Sequence, residues 1–170
     1  MSLTVEQHNL TISLPRMTRM NRPPDEHHTA GGEMDRITVG VRVSGDTLDP
    51  DAVTARMRAQ PTFAARRGDH RLESGRVVVQ RTGVWLVDFT GSPDEWTLED
   101  AIDELLGRLP AELTTWKELA MTCRLEVTCG VQMRSFNRGV HLSSAVLQRL
   151  AERQLAIDLD IYFVGSAEDD

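Results

Sequence analysis

The chain has few cysteines and no long apolar run. Its only cysteines, Cys123 and Cys129, lie six residues apart in a segment patterned as one extended strand. That spacing separates them by about 20 Å, beyond the reach of a disulfide. We therefore expect two reduced core thiols, which agrees with a cytoplasmic location. No apolar run approaches the ~20 residues that span a bilayer, and the N-terminus lacks the apolar segment of a signal peptide, so we expect no membrane association.

Basic residues are also fewer than acidic ones, with 19 Lys and Arg against 26 Asp and Glu. The formal net charge is −7, which works against a phosphate backbone as partner unless basic groups are concentrated on one face. Nucleic acid is therefore not expected as a ligand. The same charge suits a basic protein partner, although it also serves solubility alone.

Several signatures of catalysis are missing. The sequence contains no Gly-rich phosphate loop, no His-Glu-x-x-His helix, no Cys-x-x-Cys pair and no nucleophile elbow. An acid–base site needs only two or three side chains that meet in space, so these absences do not exclude an enzyme. They favour a non-enzymatic protein. We assign no catalytic residue, no metal and no cofactor.

Composition divides the chain into three parts. Residues 1–35 mix Pro, Gly, His and charges without a sustained period, which predicts a flexible N-terminal arm. The Asp25 to His28 run in this arm has metal-capable side chains, but ordering a flexible arm around a metal costs entropy. Residues 36–164 are patterned throughout and predict a single α+β domain, and residues 165–170 form an acidic tail.

The patterned part alternates strands and capped helices. Alternation of apolar and polar residues predicts strands in "RITVGVRVSG", "RLEVTCGVQM" and "IDLDIYF". Helices are expected after the N-caps Asp49, Thr97 and Ser143, with a shorter one at "TTWKELAM". "RVVVQRTGVWLVDF" is interpreted as a hairpin turning at Thr82 and Gly83, and "QPTFAARRGDHRLESG" as a loop.

This order predicts the fold class. It begins as a ferredoxin-like βαββαβ unit and is elaborated by an extra αβ unit. Single alternation indicates that helices cover only one sheet face. We therefore expect an α+β fold with a mixed, mainly antiparallel sheet and helices on one side.

The uncovered sheet face is the first candidate binding site. If the aliphatic residues of "IDLDIYF" face the helices, Asp158, Asp160 and Tyr162 face the other way. Arg42 and Glu126 should lie on the same face, and pairing with Arg42 would hold a carboxylate ionised, the opposite of what a general acid needs. Two interpretations remain open: a solvated, cross-paired face, or a catalytic or metal site.

Two glycines lie in the middle of strands on this polar side. Gly40 and Gly130 weaken their strands, and such a glycine often marks a bulge or a close approach by another group. The covering group could be the Tyr162 ring, a partner chain, the N-terminal arm or a ligand.

The second candidate binding site is the loop "ARRGDHR". Arg66 and Arg67 lie beside Gly68, where they could bind an anion. The alternative is that both are solvated or paired with nearby acids.

Several segments together resemble a known family. These are "DPDAVTARMRAQPT", "RRGD", "GVWLVDF", "TLEDAIDELLGRLPAEL" and "GVHLSSAVLQRLAERQLAIDLDIYF". Over about residues 36–164 the chain resembles the bacterial domain of unknown function numbered 4279. The resemblance implies a single bacterial α+β domain and brings no catalytic residues.

The expected function is protein binding. By analogy with small domains that inhibit secreted toxins, the chain is interpreted as an immunity-type or interaction domain, with a basic toxin or a second copy of itself as partner. The alternative is a small-molecule-binding domain or small enzyme that uses the polar sheet face.

Overall fold

The computed structural model describes residues 34–92, 96–134 and 139–164. Nearly all of the predicted arm, including Asp25 to His28, and the whole 165–170 tail lie outside the described residues. Along the chain the secondary-structure elements are β1 (Met34–Gly45), α1 (Pro50–Met57), β2 (Phe63–Ala65), β3 (His70–Glu73), β4 (Arg76–Val79), β5 (Gly83–Gly91), α2 (Leu98–Gly107), α3 (Leu113–Ala120), β6 (Arg124–Met133), α4 (Ser144–Glu152) and β7 (Ala156–Phe163).

Five strands form a mixed sheet in the order β2-β5-β1-β6-β7. Strand β1 is central and runs antiparallel to both β5 and β6, whereas β7 runs parallel to β6. Strands β3 and β4 form a separate antiparallel pair. The predicted α+β class and mainly antiparallel sheet are confirmed, and the ferredoxin-like detail stays a prediction.

The core lies between one face of the sheet and the helices. Alternate residues of β1 and β6 are buried there together with the apolar faces of the helices. Trp85 and Trp116 are fully buried, and their indole N–H groups donate to Thr54 Oγ1 and the Pro110 carbonyl at 3.0 and 2.8 Å. Burial of such large side chains, with their polar atoms satisfied, fixes the helices against the sheet.

The predicted helix starts are confirmed. Asp49 caps α1, with Pro50 at its first position, and Ser143 caps α4. Thr97 caps α2 in a capping box with Asp100, whose side chain accepts from the Thr97 backbone N–H. These caps satisfy N–H groups that have no partner inside a helix.

The predicted hairpin around Thr82 and Gly83 is wrong. Strand β4 pairs with β3, while β5 pairs with β1 and β2. The segment interpreted as a loop therefore contains both β2 and β3. The turn from β3 to β4 is formed by Ser74 and Gly75, both at positive φ (49° and 77°), as a two-residue hairpin turn of type I′ requires.

Strand β7 forms one edge of the sheet within the described part of the chain. Its aliphatic side chains were predicted to face the helical layer and lie on that side of the sheet. Ile157, Leu159 and Ile161 nevertheless remain 38%, 39% and 48% exposed, because the helices pack mainly over β1, β5 and β6. The apolar row of β7 is thus only partly covered.

None of the helices in the described ranges is both long enough and apolar enough to cross a membrane.

Candidate functional site

Strand register assembles the predicted residues on the side of the sheet opposite the core. Arg42 lies opposite Glu126, and Thr128, Gly130 and Gln132 of β6 lie beside Asp158, Asp160 and Tyr162 of β7. Residues directly opposite in neighbouring strands project from the same face. We call the surface formed by Arg42, Glu126, Thr128, Asp158, Asp160 and Tyr162 the polar face.

Arg42 joins two acids of the polar face. Its Nε donates to Glu126 Oε2 at 2.9 Å, and its terminal Nη2 donates to Asp158 Oδ2 at 2.9 Å, across the width of β6. Arg124 lies on the other side, with Nη2 2.6 Å from Glu126 Oε1. Both oxygens of the Glu126 carboxylate are therefore paired with guanidinium groups.

Burial differs strongly among these partners. The Glu126 side chain is only 4% exposed, whereas those of Arg42 and Asp158 are 36% and 46% exposed. A buried carboxylate needs its partners, since an unpaired buried charge is costly. An exposed ion pair contributes little because water screens it. The cluster thus holds Glu126 as a fixed anion and leaves Asp158 at the surface.

Asp160 and Tyr162 continue the polar face towards the end of β7. Both are exposed, Tyr162 by 53%. Within the described ranges neither makes an ion pair or a side-chain hydrogen bond. Asp160 therefore presents a charge that is open to a partner outside those ranges.

The two mid-strand glycines have different surroundings, and Tyr162 is not the covering group proposed from the sequence. A methyl group on Gly40 would lie 2.5 Å from Asp88 Oδ1 and 2.7 Å from Thr128 Oγ1. On Gly130 it would meet only Thr38 within 4 Å, at 3.8 Å, among the residues described. Cross-strand neighbours cover Gly40, whereas Gly130 leaves an open notch beside Asp160.

This difference predicts opposite effects of one substitution at two sites. Gly40→Ala should lower the free energy of unfolding by about 1–2 kcal/mol because Asp88 must give up its position, in which it accepts from Thr62 Oγ1 at 2.8 Å. Gly130→Ala should raise it by roughly 0.5–1 kcal/mol, since alanine costs less entropy in a strand. Urea unfolding of both variants measures this, and equal changes would contradict the prediction.

Arg66 and Arg67 are not part of the polar face. The terminal Nη2 of Arg66 lies 2.6 Å from both Asp49 Oδ1 and Asp51 Oδ2, and Arg67 pairs with Asp46 at 2.9 Å. Hydrogen bonds from Arg66 to Asp51 and Asp49 raise the pKa of its guanidinium. Both arginines thus bind the connection between β1 and α1, and Arg66 also binds the first turn of α1. An anion there would have to displace these carboxylates.

Sequence reasoning missed two neighbours of the site. Arg124 lies two residues before Glu126, so the strand period already put both on one face. Asp88 faces Gly40 from β5, but the wrong pairing of the predicted hairpin left no basis for placing it. Among the described residues no group of three or more His, Cys, Asp or Glu side chains could hold a metal ion.

Comparison with known proteins identifies the family. No curated protein and no solved structure matches the chain. The model of one family, described as a domain of unknown function (DUF4279), matches residues 35–164. That range includes the four helices of the described residues, the five-stranded sheet apart from Met34 at the start of β1, and every residue of the polar face, and the chain belongs to the DUF4279 family.

Proposed function

We propose that this protein is a non-enzymatic binding domain that presents its polar face to a basic protein partner. The observation that carries the proposal is the difference in solvent exposure among the acidic side chains. Glu126 is buried and paired, whereas Asp158 and Asp160 remain at the surface. Buried pairing fixes the shape of the face, and exposed carboxylates supply charge for recognition.

The chemistry of the cluster supports binding over catalysis. A general acid or base must reach the substrate, whereas the Glu126 carboxylate is buried and both of its oxygens are paired with guanidinium groups. Arg42 is already engaged by two carboxylates. A cationic surface of a partner would meet Asp158, Asp160 and the Tyr162 ring, which suits arginine both by charge and by cation–π contact.

More specifically, the protein would be an immunity-type domain that binds and neutralises a basic toxin in the bacterial cytosol. The net charge of −7 supports it, since opposite net charges accelerate encounter between two proteins. The partner would be recognised by lysine or arginine side chains on a strand or helix that fits the open sheet.

Charge reversal at Asp160 tests the proposal. A protein retained from a lysate of the source bacterium by the wild-type chain should be lost with Asp160→Lys. With that protein purified, the association rate should fall about tenfold at low salt, and less at high salt, where charges are screened. Glu152→Lys makes the same change on α4, away from the polar face, and should leave the rate nearly unchanged. Equal effects of the two variants would count against the polar face.

The open notch beside Asp160 favours one second candidate, a small polar ligand. Gly130 has room above it and lies between Thr38 and Asp160. Thermal-shift screening against metabolites and divalent metals tests this function. A shift of several degrees that vanishes in Asp160→Ala would support it, and a screen without any shift would exclude it for the compounds used.

A further inference from the structure

We infer that the partner binds by adding a strand to the free edge of β7, and that this strand alternates aliphatic with lysine or arginine residues. The inference rests on the proposed function and names the geometry and the chemistry of its partner. The evidence for it is the row of backbone N–H and C=O groups along the outer edge of β7, whereas the polar face was defined by side chains.

The edge of β7 offers unpaired backbone groups. The Val164 N–H donates to the Met133 carbonyl at 2.8 Å, so even-numbered residues of β7 point their N–H and C=O groups towards β6. Backbone groups of successive residues point to opposite sides of a strand. The N–H and C=O groups of Ile157, Leu159 and Ile161 therefore point away from β6, where the described part of the chain provides no strand.

The edge has little of what protects most edge strands. Natural edges are shortened, bulged or covered, or they carry proline or charged side chains, lysine above all. Strand β7 has eight residues, contains neither proline nor lysine, and pairs with β6 without a register shift, so its protection is the negative charge of Asp158 and Asp160. A long, regular edge is the geometry that accepts an added strand, and negative charge does not oppose a basic one.

The two faces of β7 determine the side chains of that strand. On the helical side, Ile157, Leu159 and Ile161 are 38–48% exposed beside the buried Val127, Cys129 and Val131. An added strand would cover them with aliphatic side chains of its own. On the other side it would lie beside Asp158 and Asp160, where basic side chains are complementary.

A second copy of the chain fits this edge poorly. In a two-fold antiparallel pairing, residues that face each other have the same orientation in the sheet. Registers centred on Asp160 or Leu159 pair the strand most fully, and they place Asp160 opposite Asp160 or Asp158 opposite Asp160. Carboxylates directly opposite each other destabilise a sheet. Charge thus favours a basic strand from another protein.

Proline provides a matched test of the edge. Ile161→Pro removes an N–H that points away from β6 and places a ring in the path of the added strand, while the bonds between β7 and β6 stay intact. Ile161→Val keeps the N–H and serves as control. The probe is a peptide as long as β7 in which valine alternates with lysine. Peptides with glutamate in place of lysine, or with N-methylated alternate residues, serve as negative controls.

With the full-length chain, the valine–lysine peptide should bind and should protect the Leu159 and Ile161 amides from hydrogen exchange. Ile161→Pro should weaken binding at least about tenfold, from the lost hydrogen bond and the clash, and Ile161→Val only slightly. The N-methylated peptide should not bind, a result that does not depend on how well the proline variant folds. Circular dichroism checks the fold of each variant.

Three outcomes would overturn the inference, and each would identify a different mode of binding or a different occupant of the edge. If Ile161→Pro binds like Ile161→Val while Asp160→Lys abolishes binding, the polar face recognises its partner without strand addition, and the proposed function survives alone. If the Leu159 and Ile161 amides are already protected in the free monomer, the segment 1–33 of the same chain occupies the edge. If sedimentation shows a dimer that Ile161→Pro dissociates, the occupant is a second copy.

Discussion

Cys129 is expected to react with a thiol reagent, near pH 8, about a thousandfold more slowly in the folded protein than in the unfolded chain. Burial in the core, and to a smaller extent the charge of Asp158, raises the pKa of its thiol from 9.0 to about 12. Only the thiolate is nucleophilic. A rise of about three units lowers the thiolate fraction about a thousandfold, and a side chain that is 1% exposed also excludes the reagent.

The raised pKa links this thiol to stability at alkaline pH. The folded state keeps the proton up to about pH 12, whereas the unfolded chain loses it above about pH 9. The stability linked to this proton is therefore fully present below the unfolded pKa and is lost as the pH rises towards the folded one. Replacing Cys129 by alanine should remove this part of the alkaline pH dependence.

Cys123 supplies the comparison within the same chain. It precedes β6 and is partly exposed, so it is accessible to the reagent in the folded state. Labelling of Cys123→Ala and Cys129→Ala variants, followed by mass spectrometry with and without denaturing urea, measures each thiol separately. If Cys129 were labelled in the folded protein as fast as in urea, its place in the core would be wrong.

The burial of Cys129 illustrates what the sequence predicts well. Alternation over ten residues of β6 assigned Leu125, Val127, Cys129, Val131 and Met133 to the core, and all five are buried. Helices followed from equally local signals, namely a capping side chain and an apolar stripe. Such patterns are repeated often enough along one segment to outweigh any single exception.

Pairing between strands is harder to predict because it depends on contacts distant in sequence. Strand β2 has three residues, too few for a period, and it exists because it adds to the edge of β5. The turn at Ser74 and Gly75 was visible as a Ser-Gly pair between two short runs, yet Thr82 and Gly83 competed for the same role. Short strands are therefore defined by tertiary pairing more than by their own residues.

The alternation that predicted the strands also predicted part of the candidate site. Period two placed Arg42, Glu126 and Asp158 on one face, and the structure brings them together. Burial was not predictable, because nothing in a local pattern distinguishes Glu126, almost fully buried, from Asp158, half exposed. That difference arises from position in the sheet: β6 is internal and β7 lies at the edge of the described sheet.

Removing the Arg42 side chain should therefore cost much more stability than removing its exposed partner. Arg42→Met is expected to lower the free energy of unfolding by about 2–3 kcal/mol. It leaves the buried Glu126 carboxylate with Arg124 alone, and the Arg124 side chain is 73% exposed. Asp158→Asn should cost at most about 1 kcal/mol, because its pair with Arg42 is screened by water. Urea unfolding near neutral pH compares the two variants.

A double variant separates the loss of the pair from the loss of packing. Arg42→Met combined with Glu126→Met removes the buried carboxylate together with Arg42 and replaces both by apolar side chains. No buried carboxylate is then left without its partner, and Asp158, which also loses Arg42, is half exposed. The cost of the double variant should fall short of the sum of the two single costs by at least about 1 kcal/mol. Simple additivity would mean that Glu126 does not depend on Arg42. The polar face would then lack the fixed anion that holds Arg42 beside Asp158, and the exposed acids would have no defined geometry to offer a partner.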